Sequence, residues 1–125
     1  MAGSYNTVAY RRQKDGAEVV QGQTAVTQAT SITTGVTCNA LSGVITTVSQ
    51  TVAGAAEASF TVTNSEVAAT DVVVACIKTH TSAGLFFPCV TAVGAGSFEL
   101  SLTNLSASAG NNVLVINFLV HKCEA

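Results

Sequence analysis

The stretch from Ser59 to Lys78 reads SFTVTNSEVAATDVVVACIK, and the stretch from Ser97 to Lys122 reads SFELSLTNLSASAGNNVLVINFLVHK. Each opens on Ser-Phe and alternates apolar with polar residues. Each reaches Thr-Asn, crosses a small polar segment and closes in an apolar run. A period of two belongs to the β-strand, because successive side chains point to opposite faces. Phe98, Leu100 and Leu102 fall on one face, and Ser97, Glu99, Ser101 and Thr103 on the other. Phe60 and Val62 make the matching dry face in the first copy. The runs Val72–Ile77 and Val113–Val120 are apolar on both faces. Each copy therefore predicts an antiparallel hairpin of one half-exposed and one fully buried strand, with Asn64 and Asn104 opening the turns. A strand buried on both faces needs a second cover, and a neighbouring subunit is the expected one.

The rest of the chain carries the same signal. No segment repeats apolar residues at helical spacing for three turns, and Val and Thr, whose branched Cβ suits a pleated surface, are abundant. Further strands are predicted at Glu18–Gln21, Thr24–Gln28, Gly35–Asn39, Gly43–Val48 and Gly84–Val93, beside Ala58–Thr63, Asp71–Lys78, Ser97–Thr103 and Val113–His121. Short strands at this spacing predict an all-β fold, an antiparallel β-sandwich of jelly-roll-like or Ig-like type. Phe60, Phe98, Leu100, Ile116 and Phe118 are its expected core. The residues before about Gly22 lack the dry face of a core strand. Residues 1–22 are therefore read as an extended N-terminal arm, and residues 23–125 as the sandwich domain. Within the arm Tyr5–Tyr10 is read as extended, and RRQKDG at Arg11–Gly16 ends in an Asp-Gly turn signal.

Composition narrows the partners. Hydrophobic residues make up 48% and charged residues 10%, against a usual charged share of about 25%. Thr, Ser, Ala, Gly and Asn take the place of charge, as in β-rich proteins that pack against neighbours. A net charge of −2 gives no field to steer nucleic acid. No apolar run reaches the length of a membrane span, so neither nucleic acid nor membrane is an expected partner. The opening Met-Ala-Gly-Ser-Tyr-Asn lacks the apolar stretch of a signal peptide. Synthesis in a cytoplasm is expected, with Cys38, Cys76, Cys89 and Cys123 made as thiols packed in the core or at interfaces. Disulfides would require later oxidation, and four cysteines allow three pairings.

Chemical motifs are sparse. Cys76 with His80, and His121 with Cys123, have no standard zinc spacing, so neither metal nor other cofactor is expected. No GxSxG elbow, phosphate cradle or paired carboxylate is visible, and a catalytic role is not expected. The chain has no Trp, and Tyr5 and Tyr10 are its only Tyr residues. Arg11, Arg12 and Lys14 form a local basic cluster on a chain with little other charge. A short charge run is usually a solvated turn. Here it is read, with Tyr5 and Tyr10, as a partner-binding arm whose Arg forks meet carboxylates or carbonyls on a neighbour.

The strings VTQATSITTGVTCNALSGVITTV, EASFTVTNSEVAATDVVVACI, AVGAGSFELSLTNLSA and NVLVINFLVHK resemble a group of small bacteriophage virion proteins, over Val26 to Lys122. The resemblance implies a non-enzymatic β-domain that assembles on a particle. Some members of the group are thought to decorate the head. Cys76, Cys89 and Cys123 stand where the group has small or aliphatic residues. The expectation is a capsid decoration or cement protein that bridges neighbouring shell subunits. Its partners would be the major capsid protein and copies of itself, as trimer or dimer, and its place the virion. The alternatives are a tail or fibre component, a host-surface or carbohydrate-binding adhesion module, and, more remotely, a small hydrolase.

Overall fold

The computed structural model describes residues 11–14, 17–20, 22–80 and 85–124, with side chains from Gly22 onward except at Asn112. Among these residues the chain forms twelve strands and no helix. They are β1 (Arg11–Lys14), β2 (Ala17–Val20), β3 (Thr24–Thr27), β4 (Val36–Thr37), β5 (Ser42–Thr46), β6 (Gln50–Val52), β7 (Glu57–Thr63), β8 (Val72–His80), β9 (Phe86–Gly94), β10 (Ser97–Asn104), β11 (Gly110–Asn112) and β12 (Leu114–His121).

Two four-stranded sheets make a sandwich, one ordered β3-β5-β12-β8 and the other β4-β7-β10-β9. The sheets are built alike. Each has a short edge strand running parallel to its neighbour, β3 beside β5 and β4 beside β7. The remaining pairings are antiparallel. The last strand of each sheet carries a bulge, with Thr91 the extra residue of β9 and Lys78 that of β8. A two-stranded ribbon of β6 and β11 stands apart from both sheets.

The repeat therefore builds something other than two hairpins. The first strands of the two copies pair with each other, Phe98 opposite Val62 and Leu100 opposite Phe60. The second strands do the same, with Phe118 opposite Ala75 and Val120 opposite Val73. Each copy is thus an arch that leaves one sheet and enters the other. Local alternation cannot distinguish these pairings, because it fixes a strand's faces and not its neighbour.

The arches turn on the repeated asparagines, both wholly buried. Asn64 Oδ1 accepts the Ala40 and Glu66 amides at 3.1 and 3.0 Å, and its Nδ2 donates to the Ala40 carbonyl at 2.7 Å. Asn104 Oδ1 accepts the Ser106 amide at 3.0 Å, and its Nδ2 reaches the carbonyls of Val52 and Ser108, each at 3.0 Å. In both cases the side chain closes an Asx turn on residue i+2 and ties a neighbouring loop to the arch. Gly54 lies on the Ala107 backbone at the second arch, where an added Cβ would collide.

Between the sheets lie Phe60, Val62, Phe98, Leu100, Leu102, Ile45, Leu114, Ile116, Phe118 and Val120, all buried. The expected core of Phe60, Phe98, Leu100, Ile116 and Phe118 is the observed one. Phe98 meets Phe118 edge to face across the sheets, ring centroids 5.2 Å apart, an arrangement aromatic rings favour. Phe118 lies over Gly43, its cross-strand partner, at a place no larger residue could occupy.

One expectation changes. Val72–Ile77 is not buried on both faces: β8 is an edge strand, and Val72 and Val74 are each 52% exposed. In the N-terminal segment β1 pairs antiparallel with β2, Lys14 opposite Ala17 and Arg11 opposite Val20. That hairpin is a sheet of its own and pairs with neither layer of the sandwich.

Replacing Asn104 by Ala should remove about 3 kcal/mol of stability, because it strands several buried carbonyls and amides at once. Phe98→Ala should cost about 3–5 kcal/mol by leaving a cavity between the sheets. Val74→Ala should change little. Urea denaturation followed by circular dichroism ranks the three.

Candidate functional site

The exposed large apolar side chains fall in two groups. Val72 and Val74 stand on β8, Phe87 on β9, and Leu85 just before it. Leu105, the fifth, follows β10, and its amide donates to the Leu85 carbonyl at 2.7 Å. Val72 and Val74, each 52% exposed, stand toward the Asn64 end of the fold on the outer face of the first sheet, while Leu85 at 61% and Phe87 and Leu105 at 55% each stand at the Asn104 end of the second. The edge strands β8 and β9 of the two sheets approach one another. On β8 alternation puts Val73, Ala75 and Ile77 toward the core and Val72, Val74 and Cys76 outward. The sequence signal for the second group was the run Leu85-Phe86-Phe87. Consecutive large apolar residues in a strand cannot all face one core, and Phe86 is buried while its neighbours are not.

At Val74, on the outer face of the first sheet, lies an open depression of about 400 Å³ lined in part by Gln23, Ser42, Val74, Cys76, Asn117 and Leu119. Gln23 Nε2 donates to Ser42 Oγ at 3.2 Å on its rim. Asn117 Oδ1 is buried there without a hydrogen-bond partner, a costly state for an amide oxygen.

The basic cluster lies elsewhere. Arg11, Arg12 and Lys14 occupy β1, opposite Val20, Val19 and Ala17. Tyr5 and Tyr10 lie outside the described residues. The hairpin register places three basic residues on one short strand, but brings them to none of the sandwich strands.

The cysteines divide by environment. Cys38 is buried, its Sγ near the Thr24 carbonyl at 3.7 Å, and burial pushes its thiol pKa up. Cys76 and Cys89 are exposed on β8 and β9, so of the core or interface places expected for them the core is ruled out. Cys123 is intermediate, and all four are free thiols. Among the described residues no three His, Cys, Asp or Glu side chains gather as a metal site would require. Of the carboxylates, Glu57 accepts from Ser101 Oγ at 2.9 Å and Glu99 from Thr91 Oγ1 at 2.6 Å. Both contacts tie neighbouring strands on the outer face of the second sheet.

Asp71 closes the C-terminal end of the fold. Its buried carboxylate accepts Lys122 Nζ at 2.6 Å, the Ala68 amide at 2.7 Å and the Cys123 amide at 3.1 Å. Burial pushes the Asp71 pKa up. The Lys122 hydrogen bond, the two backbone amides and the Lys122 charge push it down harder, so it stays below the ordinary carboxylate value. Sequence reading missed this clamp, because Asp71 and Lys122 are far apart in the chain.

Comparison with known proteins gives no match to any family model, any curated protein or any solved structure.

Two measurements follow from this chemistry. A depressed carboxylate pKa stabilises the fold above the unfolded value and loses that effect as pH falls through the folded value. Asp71→Asn should therefore be less stable than the parent at pH 7, and the gap in urea midpoint should narrow on acidification below the ordinary carboxylate range. Thiol labelling of the native protein should modify Cys76 and Cys89 first, Cys123 more slowly, and Cys38 only on unfolding. Peptide mass analysis of a labelling time course reads that order.

Proposed function

We propose that this chain is a structural protein of a bacteriophage particle, acting as a decoration or cement protein that spans joints between shell subunits. The observation that carries the reading is that a domain with little surface charge leaves two groups of large apolar side chains exposed, Val72 with Val74 and Leu85 with Phe87 and Leu105. Large apolar groups concentrated in one place favour burial against a partner. A hydroxyl-rich surface can be covered by neighbours at low desolvation cost, because few charges must be stripped of water. The resemblance of Val26–Lys122 to small virion proteins supports the same conclusion. The mechanism is mechanical: apolar and hydroxyl-bearing area buried on two neighbours opposes their separation under the pressure of a packed genome. The partners are the major capsid protein and copies of this chain.

The basic strand β1 is the second contact in this reading. A lone two-stranded hairpin is marginally stable in water, so β1 and β2 gain from docking on a neighbour. Arg11 and Arg12 would fork onto its carboxylates or carbonyls.

Electron microscopy of intact particles, with the chain located by density or by labelled antibody, tests the assignment directly. Deleting the first 16 residues should leave a folded sandwich that coats stripped particles poorly. The double change Arg11→Glu, Arg12→Glu should weaken binding more at low salt than at high salt, because exposed charge contacts are screened. Full occupancy by the deleted protein would remove the arm from the mechanism. A chain that never joins a particle would overturn the assignment in favour of a free-standing binding module.

A further inference from the structure

We propose that β8 is an assembly edge, paired antiparallel with β8 of a second copy about a two-fold axis, with Val74 facing Val74 and Val72 facing Cys76 across the junction. This rests on the reading of the chain as an assembling protein, and it names the surface that two copies share.

Every open sandwich has edge strands, and their unpaired backbone groups invite pairing unless something blocks it. Three of the four edges here are poor templates. β4 is two residues long and β3 four. β9 carries Pro88, which has no amide to donate, and the bulge at Thr91. β8 is different. From Val72 to Ile77 it stays in unbroken register with β12, and the bulge comes only at Lys78. Those six residues, VVVACI, contain neither proline nor charge. Val72 and Val74, two of the exposed large apolar side chains, lie on the outward face of β8.

The pattern of β8 suits a copy of itself. Opposed residues in an antiparallel pair share a face, so outward positions must meet outward positions. With Val74 on the axis, Val72 meets Cys76 on the outer face and Val73 meets Ala75 on the inner one, and every opposed pair is apolar. Moving the axis to Ala75 would set Val72 against the bulged Lys78. Charge selects the direction. Asp71 and Lys78 flank the segment at opposite ends, so antiparallel pairing sets unlike ends side by side. A parallel arrangement would set like beside like. The Asp71 carboxylate is already held by Lys122, so the advantage is the absence of repulsion rather than a new ion pair. A two-fold of this kind joins two four-stranded sheets into one of eight strands. An isologous contact closes after two copies, because it uses the β8 edge of each.

The test uses the full chain with Cys76, Cys89 and Cys123 changed to Ser, carrying Val74→Cys. Mild oxidation should give a disulfide-linked dimer on a non-reducing gel. It should form about tenfold faster than from the same background carrying Thr61→Cys, an exposed position on β7, because pairing raises the local thiol concentration. In the parent chain Val74→Asp should keep its β-type circular dichroism while sedimenting as a monomer, where the parent sediments as a dimer at the higher concentrations. Crosslinking no faster than the Thr61→Cys control, a dimer that survives Val74→Asp, or a parent that stays monomeric would each overturn the proposal. Loss of the dimer on deleting residues 1–21 would also overturn it, by assigning the contact to the N-terminal segment. Particle binding is scored separately: a β8 dimer that binds no particle leaves this proposal standing and removes the decoration reading.

Discussion

The fold depends on solving one problem twice: carrying the chain from one sheet to the other without leaving buried backbone groups unpaired. A β-arch takes its corner into the core, where water cannot serve the freed amides and carbonyls. Asn64 and Asn104 supply what water would have supplied. Each offers an acceptor to the amide two residues on and donors to the carbonyls of a neighbouring loop. An apolar residue at either place would fill the space and leave the turn unsatisfied. The repeated Thr-Asn is thus a corner joint, and the duplication of the sequence is a duplication of the joint.

With the corners fixed, the apolar strands have little choice. The two arches pair strand to strand, and their dry faces meet as Phe98 against Phe118. Gly43 leaves room for the Phe118 ring, so a small residue on one strand is matched to a large one on its neighbour. The C-terminal strand is then held by the buried Asp71 carboxylate, which takes the half-exposed Lys122 ammonium and the amides of Ala68 and Cys123 together.

What the core does not absorb defines the outside. Once β12 takes its place between β5 and β8, the outer side of β8 is left open. The residues that made β8 look like a buried strand then become exposed apolar groups at an edge. The proposed particle role and the proposed β8 contact both draw on this remainder, one through exposed apolar side chains and the other through backbone pairing. The hairpin of β1 and β2 adds a basic strand outside the two sheets.

The sequence alone determined the strands and their faces. Phe60, Phe98, Leu100, Ile116 and Phe118 were legible as core, because a period of two in a half-apolar segment has one physical reading. Strand positions from Thr24 to His121 follow the predicted segments to within a few residues, while β6 and β11 were too short to carry a period. The resemblance to virion proteins was also a property of the sequence, and it gave the functional reading its direction. Only the tertiary structure decided which strand lies beside which, and therefore which apolar residues are covered. Alternation is a local property of one strand, whereas pairing depends on closure of the arches and on which strand is left at an edge. Val74 and Val120 look alike in the sequence. Val120 is buried because it falls on the core face of β12, and Val74 is half exposed because it falls on the outer face of β8, an edge strand with a neighbour on one side only.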